Sequence, residues 1–84
     1  MSLPKDVPIR VMALNYDGSL KLRAFSCGGR WYRVTRVLEE WFDTGEWWKG
    51  ESEKRFYRVE AALSLFEVYY EPQSKTWRLY KVYD

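Results

Sequence analysis

The 84-residue sequence predicts an all-β fold of about six antiparallel strands, arranged as a meander that curls into a small barrel or a strongly bent sheet. Three observations lead to this prediction. Apolar and polar residues alternate in short segments from Pro8 onward, and turn-forming residues separate these segments. The third observation is length, because so short a chain must bend or close its sheet to hide one apolar face. We expect one small β domain over residues 1–84, with 1–7 as a flexible N-terminal tail.

The predicted strands are bounded by turn chemistry. They cover residues 9–15, 20–26, 30–42, 54–61, 63–71 and 76–84. Asp17-Gly18 and Gly28-Gly29 favour two-residue hairpin turns, since glycine readily adopts positive φ. The segment 43–53 is polar apart from a tryptophan pair and contains two glycines, which predicts a long loop.

Residues 30–42 allow two interpretations. As a strand the segment is long enough that it must bend or contain a bulge. As an alternative, one short helix covers 34–42, because Val34, Val37, Leu38 and Trp41 stand at helical spacing. On a regular strand, Val34, Arg36 and Leu38 would share a face, and Val37 would lie on the other.

Aromatic residues must supply much of the stability. The chain has five Trp, seven Tyr and four Phe, and each buried ring removes about 150 to 250 Å² from water. Most of these rings are therefore expected in the core, and only a minority on a binding surface.

The residue types argue against an enzyme. The sequence has no histidine and one cysteine, which removes the usual general base, a histidine-based nucleophile pair and a structural zinc site. Cys27 follows a serine and precedes the glycine turn, and a small turn residue is favoured over a reactive thiolate. The acids at 39, 40, 43 and 46 match no metal loop and are interpreted as a solvated turn. We expect no catalytic residues, no metal and no cofactor.

Charge and hydropathy place few further limits. The formal net charge is +2, so binding of nucleic acid would depend on segregation of charge and not on its total. A single cysteine fits a reducing cytoplasm, no apolar run approaches the ~20 residues that span a bilayer, and the N-terminus has no apolar signal core. The expected location is the cytoplasm.

The first candidate site is a protein-binding loop. Trp47, Trp48 and Lys49 lie in the predicted loop, where Gly50 gives backbone freedom. A loop-borne indole is a frequent anchor of protein interfaces. The sequence therefore favours a non-catalytic interaction module, in which one indole closes the core and the other is partly exposed. Free edges of an open sheet would also allow a homodimer.

The alternative site is a nucleic-acid platform. Its proposed residues are Trp31, Arg33, Phe56, Arg58 and Lys81. Rings interleaved with cations suit a single strand, because bases stack on rings while cations follow phosphates. The simpler interpretation is a solvated face on which the arginines pair with Glu60 and Glu67 across the sheet.

Three segments share a pattern with a known family: RWYRVTRVLEEW, EWWKGESEKRFYRVE and LFEVYYEPQSKTWRLYKVYD. The matching residues are Trp47, Trp48, Gly50, Tyr57, Val59, Leu65, Phe66, Tyr69, Trp77, Leu79 and the run Val82-Tyr83-Asp84. On these residues the chain resembles a small bacterial domain of unknown function. That domain occurs as a stand-alone protein and, in a related form, near the C-terminus of the mutasome protein ImuB, a Y-family polymerase homologue.

The resemblance covers the C-terminal half well and the first hairpin poorly. It implies an accessory, non-catalytic role in DNA damage tolerance, through contacts with repair proteins or with DNA. It implies no lesion-bypass activity, because the chain has no polymerase part, and it transfers no catalytic residue.

Overall fold

The computed structural model describes residues 7–16, 19–44, 48, 50 and 53–83, with only the backbone for Tyr16 and Ser19. Its regular elements are six β-strands. They are β1 (Val7–Tyr16), β2 (Ser19–Cys27), β3 (Arg30–Asp43), β4 (Lys54–Ala61), β5 (Ser64–Glu71) and β6 (Thr76–Tyr83). Each lies within two residues of its predicted bounds.

The strands form a closed antiparallel barrel in chain order. Each strand pairs with the next one along the chain, and β1 pairs with β6 through Val7 with Leu79 and Ile9 with Trp77. This pairing closes the sheet and confirms the predicted all-β meander. Val7, which the sequence assigns to the N-terminal tail, belongs to β1. Residues 1–6 lie outside the described part of the chain.

The core is the inner face of the barrel. Its buried residues are Ile9, Leu22, Phe25, Cys27, Tyr57, Val59, Ala61, Phe66, Val68 and Leu79. Phe25 contacts both Tyr32 and Phe66, with ring centroids 5.2 and 5.1 Å apart. The aromatic residues thus supply core volume, as the composition predicts.

Four extra residues shift the pairing register. Arg23 is extra on β2, Thr35 and Leu38 on β3, and Tyr80 on β6. A bulge moves the following side chains to the opposite face. Leu22 and Phe25 can therefore both be buried, although regular alternation would place them on opposite faces.

The helical interpretation of 34–42 is wrong, because these residues belong to the 14-residue strand β3. The bulge at Thr35 explains the helical spacing. Val34 pairs with Ala61 and Val37 with Val59, so both valines lie on the inner face although they are three residues apart. Arg36 faces outward, opposite to its predicted face.

The bulge in β6 has the same effect. Regular alternation would place Leu79, Lys81 and Tyr83 on one face, but the bulge at Tyr80 turns Lys81 and Tyr83 outward and Val82 inward. Side chains of β4 and β5 follow regular alternation, because the pairing between these two strands contains no register shift.

The turns follow the sequence only in part. Gly28 and Gly29 have φ of 62° and 78°, which confirms the predicted hairpin turn. The β4–β5 turn places Ala62 and Leu63 at φ of 50° and 62° without glycine, which strains the backbone. The Asp17-Gly18 turn lies outside the described residues.

Candidate partner-binding site at the open edge of β3

The pairing between β2 and β3 ends early. It covers four residue pairs, from Cys27 with Arg30 to Ala24 with Arg33. Strand β3 continues to Asp43, and residues 34–43 pair with β4 on their other side. No described strand pairs with the β2-facing side of residues 34–43, and we call this side the open edge of β3.

Two bulges explain why the strands separate. Arg23 is inserted into β2 next to the last paired residue, Ala24, and Thr35 is inserted into β3 two residues after Arg33. Bulges disrupt the hydrogen-bond ladder and increase strand twist. The two strands therefore diverge from the same point.

A cleft of about 450 Å³ lies between the diverging strands. It is lined by Leu20, Lys21, Leu22, Arg23, Val34, Thr35, Arg36, Val37 and Glu40. Its floor is apolar, because Leu20, Leu22 and Val34 belong to or pack against the core. Val37 is 38% exposed, so part of this floor is open to solvent. The volume lies within the range typical of ligand sites.

The rim of the cleft is basic. Lys21, Arg23 and Arg36 line it, and Glu40 is the one carboxylate among the described lining residues. Arg36 lies 3.7 Å from the carboxylate of Glu60, and the Arg36 side chain is largely exposed whereas that of Glu60 is partly exposed. Such a surface ion pair contributes little and exchanges readily, so Arg36 remains able to contact an anion.

On the outer face of β4 to β6, the carboxylate of Glu67 already has its hydrogen-bond partners. The buried Glu67 accepts hydrogen bonds through Oε1 from Arg58 Nε at 3.2 Å, Arg58 Nη2 at 2.9 Å and the Tyr83 hydroxyl at 2.8 Å. Hydrogen bonding to Glu67 is the main reason why the pKa of Arg58 is raised. Glu39 is a further partner of Arg58, at 3.4 Å. These contacts hold the outer face together.

Phe56 lies in an aromatic cluster on the same outer face. Its ring centroid is 5.4 Å from that of Trp41, 5.2 Å from Tyr69 and 5.1 Å from Tyr80. Phe56 is only 6% exposed as a result. A base cannot stack on a ring whose faces are already covered by neighbouring rings.

The structure divides the predicted nucleic-acid platform into two groups. Trp31 and Arg33 lie in the part of β3 that pairs with β2. The remaining residues, Phe56, Arg58 and Lys81, lie on the outer face of β4 to β6. Trp31 is 53% exposed, whereas Arg58 and Phe56 are engaged in the contacts described above.

The predicted protein-binding loop is described at one of its three residues. Trp48 is 65% exposed and has contacts with the rest of the protein. Trp47 and Lys49 lie outside the described residues. Which indole closes the core therefore stays a prediction.

Cys27 faces the core. Its side chain is buried, and desolvation raises the pKa of its thiol above the ordinary value. A raised pKa lowers the thiolate fraction at neutral pH, which favours the packing role over the reactive one.

Within the described ranges, no three His, Cys, Asp or Glu residues are placed to hold a metal ion. The same part of the chain contains no helix that is long and apolar enough to cross a membrane.

Sequence reasoning missed the cleft. Its residues stand in two strands that are predicted as neighbours, and nothing in either segment indicates that pairing stops after Arg33. The one available signal was the three-residue spacing of Val34 and Val37, which a bulged strand and a helix produce equally well.

The comparisons with known proteins give a family and no characterised relative. No curated protein and no solved structure matches the chain. A family model described as a domain of unknown function, DUF6504, matches residues 8–84, which include all of β2 to β6 and nearly all of β1. The chain therefore belongs to the DUF6504 family.

Proposed function

We propose that the protein is a non-catalytic protein-binding module that receives an extended segment of a partner as an added strand along the open edge of β3. One observation supports this most: pairing with β2 ends at Arg33, whereas β3 continues to Asp43. In strand addition, main-chain hydrogen bonds supply affinity, and pockets for alternate side chains supply specificity. The apolar floor beside the open edge offers such pockets.

The basic rim is compatible with this function. Exposed strand edges promote aggregation, and natural proteins protect them with charged side chains. Lys21, Arg23 and Arg36 would keep the unbound edge from pairing with other copies, while leaving its backbone accessible to a partner of opposite charge.

The loop after β3 provides a second proposed contact. A partner strand that follows the open edge past Asp43 reaches the connection to β4, which contains the exposed Trp48. Trp47, Trp48 and Lys49 are therefore retained as proposed partner-binding residues, with the indole as the anchor.

The cellular setting is a further proposal. It is supported by the resemblance to the domain near the C-terminus of ImuB, and it is an accessory role in DNA repair, with a repair protein as the partner.

Single-stranded nucleic acid is the second candidate ligand, on the strength of one charge pattern. In residues 7–38 the cations are Arg10, Lys21, Arg23, Arg30, Arg33 and Arg36, and the one carboxylate is Asp17, which lies outside the described residues. Trp31 is exposed among them. This face would hold a single strand by charge, and its binding would weaken steeply with added salt.

A photocrosslinking experiment tests the protein-binding proposal. We expect benzoylphenylalanine in place of Val37 to form a covalent adduct with one partner protein in the source cells, because this position borders the open edge. The control carries the same group in place of Leu63, which is fully exposed at the β4–β5 turn. A position-37 variant that folds but gives no adduct beyond that of the position-63 variant would contradict the proposal.

A further inference from the structure

We infer that the partner segment is an acidic, extended peptide in which carboxylate side chains alternate with apolar ones. This inference rests on the proposed function, because it concerns the same open edge.

Apolar and basic side chains alternate along the cleft. Along β2, Leu20 and Leu22 face the core, whereas Lys21 is exposed between them and Arg23 follows. Across the cleft, Val34 and Val37 line the floor. A strand added beside β3 presents its own side chains to two faces with a period of two residues. One face then meets the apolar floor, and the other meets the basic rim.

The described lining of the cleft has more cations than carboxylates. Three of the described side chains that line the cleft are cationic, against one carboxylate at Glu40. Arg36 forms a salt bridge with the partly exposed Glu60, at 3.7 Å, and a pair of this kind contributes little. Acidic side chains on the outer face of the added strand complement this rim, whereas basic ones repel it.

The length of the open edge determines how long a bound segment can be. The open edge covers residues 34–43 of β3, and the part of β2 that pairs with β1 but not with β3 includes residues 19–22. Strands rise about 3.3 Å per residue, so the part flanked by both strands is about 17 Å long. A segment of roughly eight to ten residues matches the open edge, and the carboxylates belong in the half that lies beside Lys21 and Arg23.

Fluorescence anisotropy with labelled nine-residue peptides tests the inference. One peptide alternates Glu with Val, a second has the same composition in blocks, and a third alternates Lys with Val. We expect the alternating acidic peptide to bind at least about tenfold more tightly than the other two, because only its pattern fits both floor and rim.

Charge-reversal variants locate the binding. Arg23→Glu and Arg36→Glu should each weaken the alternating acidic peptide about tenfold. Lys75→Glu is the matched control, since Lys75 is exposed in the β5–β6 turn, away from the cleft, and it should leave the affinity unchanged. If circular dichroism shows that a reversal variant fails to fold, the corresponding Arg→Gln variant replaces it, with a smaller but measurable loss.

The outcomes separate this inference from the function on which it rests. Equal binding of the alternating acidic and alternating basic peptides overturns the acidic partner but retains strand addition. Strand addition itself is overturned if the alternating and block acidic peptides bind equally. It is also overturned if N-methylation of the backbone amides does not weaken the alternating peptide. If an oligothymidylate binds more tightly than the acidic peptide, and Arg23→Glu and Arg36→Glu weaken it equally, the cleft is a nucleic-acid site and the acidic partner is overturned. If the protein dimerises with increasing concentration and Arg36→Glu alters this dimerisation, the occupant is a second copy of the chain.

Discussion

Replacing Phe66 by alanine lowers the free energy of unfolding by about 3 to 5 kcal/mol, through lost burial and the cavity that remains. Phe66 is 3% exposed. Its ring centroid lies 5.1 Å from that of Phe25 and 5.3 Å from that of Tyr32, so the cavity opens at the centre of the aromatic core. Domains of this size have a total stability of roughly 5 to 10 kcal/mol, so the variant loses between about a third and all of it. Urea unfolding followed by tryptophan fluorescence measures the change.

Leu63→Ala is the matched control for this substitution. It also removes a large apolar side chain, but Leu63 is 103% exposed. Its stability should change by no more than about 0.5 kcal/mol. Similar urea midpoints for the Phe66 and Leu63 variants would mean that Phe66 does not lie in a packed interior.

The second large effect concerns Glu67. Glu67→Ala removes the acceptor of two Arg58 hydrogen bonds and of the Tyr83 hydroxyl. A partly buried donor that loses its acceptor lowers the free energy of unfolding by more than the hydrogen bond had contributed. We expect a large fall in the urea midpoint, together with loosening of the outer aromatic face around Arg58.

Glu39→Ala is the control. Glu39 also pairs with Arg58, at a distance of 3.4 Å, but the Glu39 side chain is exposed. Exposed ion pairs contribute little, so the Glu67 variant should lose roughly two to three times as much stability as the Glu39 variant. An equal loss in the two variants would show that burial of the Glu67 carboxylate is not what stabilises this face.

The sequence predicted the six strands and the barrel because alternation and turn residues are local signals. The faces of β4 and β5 were also predictable, since their pairing contains no register shift. The faces of β3 and β6 were not. Their bulges at Thr35, Leu38 and Tyr80 depend on the partner strand. The bulge at Thr35 reverses the faces of Arg36 and Val37, the one at Leu38 restores the alternation, and the one at Tyr80 reverses the residues that follow it.

The candidate site was predictable only in its residue types. Exposed Trp31 and Trp48 agree with the expectation that some rings lie on the surface. The five residues of the predicted nucleic-acid platform fall into two groups, because β3 exchanges its neighbour from β2 to β4 after Arg33. The open edge arises at the same point, and a single sequence carries no direct signal of where two strands stop pairing.

Amide hydrogen exchange along β3 tests the central claim most directly. In the free protein, amides of residues 34–43 that face the open edge should exchange quickly, whereas those of Trp31 to Arg33 that bond to β2 should be protected. Adding the alternating acidic peptide should slow the fast amides of 34–43 and leave the rest unchanged. If these amides are already protected in the free protein, or if the peptide binds without slowing them, β3 has no open edge that receives a strand.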